Sequence, residues 1–181
     1  MAIVPDTKNW TWVLERPCPE CGFESSTVTK DEIAELTRAK AKLWVGILSD
    51  NPAWLRRRVR ADRWSTLEYG CHVRDVFRVM NARLNLMLTL DDPQFQNWDQ
   101  DRTALEDHYE DQDPPTVAAE LAAAAEALAA EFETVEGTAW QRRGIRSDGT
   151  SFTVETIGQY MLHDVVHHVD DVKRDLATPT S

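Results

Sequence analysis

From residue 29 onward, apolar residues recur at three- and four-residue intervals, the spacing that lines one face of a helix. The segment Thr29-Lys-Asp-Glu32 is a capping box: the Thr29 hydroxyl accepts from a free backbone N–H and the Glu32 carboxylate reaches back. Beyond it Ile33, Leu36, Lys40, Leu43, Trp44 and Ile47 trace one stripe, and Asn51-Pro52 ends this predicted first helix. A second capping box, Ser65-Thr-Leu-Glu68, opens the longest periodic run, in which Tyr69, Val73, Val76, Met80, Leu84 and Met87 share a face up to Asp91-Asp-Pro93. Residues 92–113 are polar and acidic, with Trp98, Leu105 and Tyr109 as isolated anchors. They read as a long connection with at most one short helix.

Pro114, well suited to a first helical position, starts an alanine-rich third helix from Val117 to Phe132, with Gly137 as its stop. Asp148-Gly149 is a turn signal, so residues 138–152 read as a loop or small hairpin. A fourth helix follows from about Thr153 to Leu176. The pattern predicts an all-α fold: a four-helix bundle over residues 29–177, preceded by an irregular amino-terminal arm, residues 1–28, that carries a Cys-Pro-Glu-Cys motif.

Composition narrows the function. The chain has 181 residues, with 31 Asp and Glu against 20 Lys and Arg, a formal net charge of -11. That length suits one domain with its own core. The acidity argues against nucleic acid and against an anionic membrane, both of which select clustered cations. The first ten residues lack a basic region followed by an apolar stretch, and no window offers the roughly 18 uninterrupted apolar residues of a membrane span. A cytoplasmic protein is the expectation. Three cysteines make no disulfide framework, and seven tryptophans suggest large core anchors or a pocket lining.

The five histidines concentrate the chemistry. Three lie in His163-Asp164-Val-Val-His167-His168, a fourth, His72, sits mid-way along the second helix, and His108 lies solvated in the acidic connection. Residues four apart share a helix face, so His163/His167 and Asp164/His168 are the two pairs able to chelate one ion. At about 100° per residue, Asp164 and His168 flank the stripe of Val154, Met161, Val165 and Val169, whereas His163 and His167 fall nearly opposite. His72 lies beside the stripe of the second helix. The wheel therefore favours His72, Asp164 and His168 as a divalent metal triad, with His163 and His167 as surface residues or as groups orienting a ligand. A lone histidine beside an apolar stripe is more often simply hydrogen-bonded to a carbonyl, but the clustering weighs against that here.

Trp64-Ser65 opening a helix, Glu68 and His72 upon it, and a final helix with a His-His pair together resemble the DinB-like superfamily of metal-binding four-helix bundles. That group includes the amino-terminal domain of mycothiol-dependent maleylpyruvate isomerase. The resemblance covers roughly residues 29–176. It implies a triad of one histidine from the second helix and two residues four apart on the fourth, which assigns His72, Asp164 and His168. Relatives commonly carry histidine at the Asp164 position, and the mycothiol-dependent isomerases carry glutamate; aspartate is one methylene shorter, which leaves His163 or His167 open as the replacement. The resemblance further implies a divalent ion, zinc or nickel, and a low-molecular-weight thiol bound as thiolate at an open metal position.

Cys18-Pro-Glu-Cys21-Gly22 has the spacing of half a tetrahedral zinc site, but no second such pair exists. We read it as a reduced turn packed by Trp10 and Trp12. The alternatives are a zinc completed by other residues or a partner chain, and a redox pair. Arg56-Arg57-Arg58 with Arg60, and Arg142, Arg143 and Arg146, read as solvated faces or as anchors for a thiol cofactor's carboxylates. Neither a nucleotide-binding glycine loop nor a serine-hydrolase elbow is present. Two expectations remain. The first is a metal-dependent thiol transferase, isomerase or hydrolase acting on a small molecule. The second is a non-catalytic binding or interaction protein with a structural metal, the tryptophans lining a groove or the face of a homodimer.

Overall fold

The computed structural model describes residue 3 and residues 8–177; the expectations for residues 1–2 and 4–7 of the amino terminus lie outside the described residues. Four long helices form the bundle: α1 (Ile33–Leu48), α3 (Thr66–Thr89), α5 (Pro114–Glu133) and α6 (Val154–Ala177). Two short helices, α2 (Pro52–Leu55) and α4 (Gln100–Glu106), lie in the connections. A two-stranded antiparallel hairpin, β1 (Arg143–Ile145) with β2 (Ser151–Thr153), leads into α6 and pairs Gly144 with Phe152. No helix among the described residues is long and apolar enough to cross a membrane.

Local chemistry sets the helix starts. Both capping boxes form, and Glu68 Oε2 accepts from the Ser65 backbone at 2.7 Å while the Glu68 N–H donates to Ser65 Oγ at 3.3 Å. Asp113 caps α5 through the Thr116 N–H, with Pro114 in the first turn. Thr153 and Thr156 cap α6 reciprocally, each hydroxyl accepting from the other's N–H at 3.1 and 2.8 Å. The helix α5 ends at Glu133, short of Gly137, whose φ of +51° opens a 3-10 turn instead.

Packing runs α1–α5–α3–α6 around the bundle, so α5 lies between α1 and α3, and those two, though successive long helices in the chain, barely touch. α1 and α5 pack closely, and small side chains are buried on both, Ala34 and Ala41 on α1 and Ala118, Ala125 and Ala129 on α5. Here the buried face of α1 differs from the expected stripe. It centres on Thr37, Ala41, Trp44 and Leu48, while Leu43 is 43% exposed. Alanines let α5 approach closely, and Thr37 is tolerated because its hydroxyl donates to the Ile33 carbonyl at 2.7 Å.

Two contacts position α6. Trp44 is fully buried and its indole N–H donates to the Val165 carbonyl at 3.2 Å. Gly158 lets α6 meet α1, since a Cβ there would stand 2.8 Å from Ile33 Cδ1. The acidic connection holds Tyr109 fully buried, but Leu105, expected as an anchor, is 71% exposed. The arm lies along α6, with its first 3-10 turn, Trp10–Leu14, packed against that helix.

Candidate metal centre

The α3–α6 seam brings His72, Asp164 and His168 together, one donor atom of each lying within 4.8 Å of the others. His72 Nε2 stands 3.2 Å from Asp164 Oδ1, and His168 Nε2 stands 3.7 Å from the same oxygen. Donors about 2.0–2.2 Å from a four-coordinate ion are separated by roughly 3.3–3.6 Å. The observed spacings bracket that range. His168 Nδ1 donates to Asp171 Oδ2 at 3.0 Å, which leaves the lone pair on Nε2, the nitrogen nearer Asp164. His72 is fully buried and its Nδ1 has no hydrogen-bond partner among the described residues.

Protonation favours a cation. Burial pushes the His72 pKa below the ordinary imidazole value, so the ring is neutral at pH 7. Burial alone would raise the Asp164 pKa, yet the His72 and His168 imidazoles hold it well below the usual carboxylate range. The same balance holds for Asp171: burial raises its pKa, but the His168 hydrogen bond, His167 and Arg174 lower it further. Neutral imidazole beside ionised carboxylate is the state a divalent ion requires.

Asp164 and His168 of this group line a cleft of about 720 Å³, and His72 is buried beside them. Trp98 stacks on His72 at 5.5 Å and 4° from parallel, Trp64 covers it at 5.1 Å, and Tyr69 lies over His168 at 4.9 Å. The tryptophans thus divide: Trp44 and Trp140 are core, while Trp10, Trp64 and Trp98 line the cleft. Of the arginines named from sequence, Arg58 pairs with Glu68, Arg142 binds the Leu90 carbonyl, and Arg143 pairs with Asp92. Arg60 and Arg146 line the cleft while paired with Asp62 and Asp148.

Sequence reasoning missed two residues. Asp171 was findable, since it lies three positions beyond His168 on one helix. Arg83 was not. It lines the cleft with no ion pair or hydrogen bond among the described residues, its guanidinium 5.3 Å above the Phe95 ring, and burial pulls its pKa down.

His163 and His167 are not surface residues, being 3% and 6% exposed. The wheel placed them opposite the bundle core, which is correct, but the arm supplies a second buried environment on that side. Trp10 packs at 5.4 Å on His163 and 4.8 Å on His167, and Phe23 at 5.7 Å on His163. Burial drives the His163 pKa down to about 4. Cys18 and Cys21 close the same cluster. His108 is exposed, as expected.

Known structures share this architecture. YfiT from Bacillus subtilis, described as a probable metal-dependent hydrolase with an unusual four-helix bundle topology, superposes with a TM-score of 0.69 at 20% identity, covering 91% of this chain and 93% of its own. The mycothiol-dependent maleylpyruvate isomerase superposes at 0.65 with 13% identity, over 81% of this chain and 62% of the isomerase. A mutant of that isomerase gives 0.66 with the same identity and coverage. No curated protein matches the sequence. The family model of the DinB superfamily matches residues 33–172, from the start of α1 nearly to the end of α6, and the chain is a member of that superfamily.

Proposed function

We propose that His72, Asp164 and His168 hold a divalent ion, zinc or nickel, and that the cleft performs a thiol-dependent transfer, isomerisation or hydrolysis on a small anionic molecule. The observation that carries this is the convergence of three donors at the cleft wall, two of them lining it, with the far nitrogen of His168 already secured by Asp171. When bound, such an ion supplies Lewis acidity that makes a thiol or water nucleophilic at neutral pH.

The chain's own residues do the rest. Asp171 fixes the tautomer and orientation of His168, and Trp64, Trp98 and Tyr69 exclude water around the imidazoles, which strengthens every charge interaction there. Arg83 offers its guanidinium to a carboxylate of substrate or thiol, with the Tyr160 hydroxyl and Arg146 on the same lining. The described neighbours, a probable metal-dependent hydrolase and a mycothiol-dependent isomerase, support the same reading.

The test is elemental analysis of the purified protein beside His72→Ala, His168→Ala and Arg83→Met, followed by thermal-shift screening with carboxylated thiols. The two histidine variants are expected to lose the cleft ion and any thiol-induced stabilisation, and Arg83→Met to keep the ion. Full metal retention in His168→Ala sinks the assignment.

A further inference from the structure

The arm and α6 meet over four side chains distinct from His72, Asp164 and His168; two of them, His163 and His167, also stand on the wall of the cleft. Cys18, Cys21, His163 and His167 each contribute one donor atom, and these atoms all lie within 4.8 Å of one another. We propose that they form a second metal centre, a structural Cys2His2 zinc site that fastens the arm to the bundle. Its donors are different from those of the cleft triad, and it rests on different observations.

Donor chemistry and geometry both point to zinc. Two sulfurs and two imidazole nitrogens are a standard tetrahedral zinc set, in which neighbouring donors stand about 3.3–3.8 Å apart. Cys18 Sγ already lies 3.8 Å from His167 Nδ1. His163 is 97% buried, and its Nε2 has no hydrogen-bond partner among the described residues. A buried imidazole nitrogen without a partner is costly unless a bound ion or water satisfies it. His167 Nε2, on the side away from Cys18, faces Glu20 and Asp171 carboxylates at 3.8 and 3.7 Å, the acidic backing that ligating histidines usually have.

The arm is shaped for the task. The Cys18 N–H donates to the Phe23 carbonyl and the Gly22 N–H to the Cys18 carbonyl, both at 2.8 Å, folding Cys-Pro-Glu-Cys-Gly into a tight knuckle. Gly22 turns it with a φ of +72°, a conformation in which other residues are strained. If the arm merely packed on α6, apolar side chains would fill this face, and two histidines with an orphaned nitrogen would gain nothing by being there.

On binding, Zn2+ takes an electron pair from each sulfur and each imidazole, and the two thiols release their protons to solvent. Two thiolates then cancel the ion's charge, so the buried centre is neutral and escapes the penalty of an isolated charge. Because Trp10 and Glu20 of the arm line the cleft, the same ion would hold one wall of the functional site in place.

Sulfur ligation provides the test, since His72, Asp164 and His168 contain none. The full chain, stripped with chelator under reducing conditions, is reloaded with Co2+ and read by absorbance. We expect a thiolate-to-cobalt charge-transfer band and tetrahedral ligand-field bands that saturate at one sulfur-bound ion per chain. These bands persist in His72→Ala and His168→Ala, and disappear in the Cys18→Ser, Cys21→Ser double variant. Should that variant fail to fold, alkylation of the wild type decides: zinc should protect Cys18 and Cys21 at least tenfold while leaving the buried Cys71 unaffected. Absence of the charge-transfer band in the loaded wild type, or equal alkylation with and without zinc, overturns the proposal.

Discussion

Replacing Asp171 by Asn tests the carboxylate that backs His168 without removing any of the three donors. Asp171 is 6% exposed; one oxygen accepts from His168 Nδ1 at 3.0 Å and the other from Arg174 Nη2 at 2.8 Å. Both partners are donors, so an Asn amide can satisfy only one and must turn its NH2 toward the other. The charge-assisted bond to His168 is then weakened or lost, a difference of about 1.5–3 kcal/mol. Loss of such an orienting carboxylate typically weakens metal binding about 10–100-fold, roughly 1.4–2.7 kcal/mol, which agrees with the first figure. Arg63 and Arg174 each lose a partner too, but both are 41% exposed, so these two ion pairs add less than about 1 kcal/mol to the change in global stability. The assay is zinc competition with a chromophoric chelator, run in the Cys18→Ser, Cys21→Ser background so that only the cleft ion is titrated. Circular dichroism controls for folding. A folded Asp171→Asn protein that binds zinc within twofold of its parent would refute the reasoning.

Two further predictions address the ligand and the scaffold. Arg83→Met keeps the apolar stem and removes the charge, so affinity for a carboxylated thiol such as mercaptosuccinate should fall about tenfold or more while 2-mercaptoethanol is unaffected; equal losses for both thiols in calorimetry would refute the anion-anchoring role. Asp75 accepts from the Tyr109 hydroxyl at 2.5 Å and from Arg74 and Arg78, and although burial raises its pKa, these donors hold it below the ordinary carboxylate value. A folded pKa below the unfolded one means stability that is complete above about pH 4 and lost as pH falls through the depressed value. Asp75→Asn, which strips buried Arg74 of this carboxylate, should therefore cost about 3 kcal/mol at pH 7 in urea unfolding, and the gap to wild type should shrink near pH 3. A gap independent of pH would show that the pair is not the source.

The helices and much of the cleft chemistry could be read from local pattern. Capping needs only neighbours in sequence, so Ser65 with Glu68, and Asp113 with Pro114, mark helix starts before any packing is known. Likewise the four-residue spacing of Asp164 and His168 puts both on one face whatever the tertiary context. The α1 stripe was harder, because leucines and alanines compete for the interior. Close helix approach selected the small Ala41 and left Leu43 outside, a choice that depends on α5 being alanine-rich.

By itself, then, the sequence determined four amphipathic helices, their caps, and the two interleaved donor pairs on α6, because each depends on residues a turn or so apart. Only the tertiary structure decided the order α1–α5–α3–α6, which sets His72 against Asp164 across 92 positions, and the course of the arm, which carries Cys18 to His167 across 149. A helical wheel knows one interior per helix. With the arm folded over its far side, α6 has two, and the histidines that faced away from the core face a second buried cluster instead.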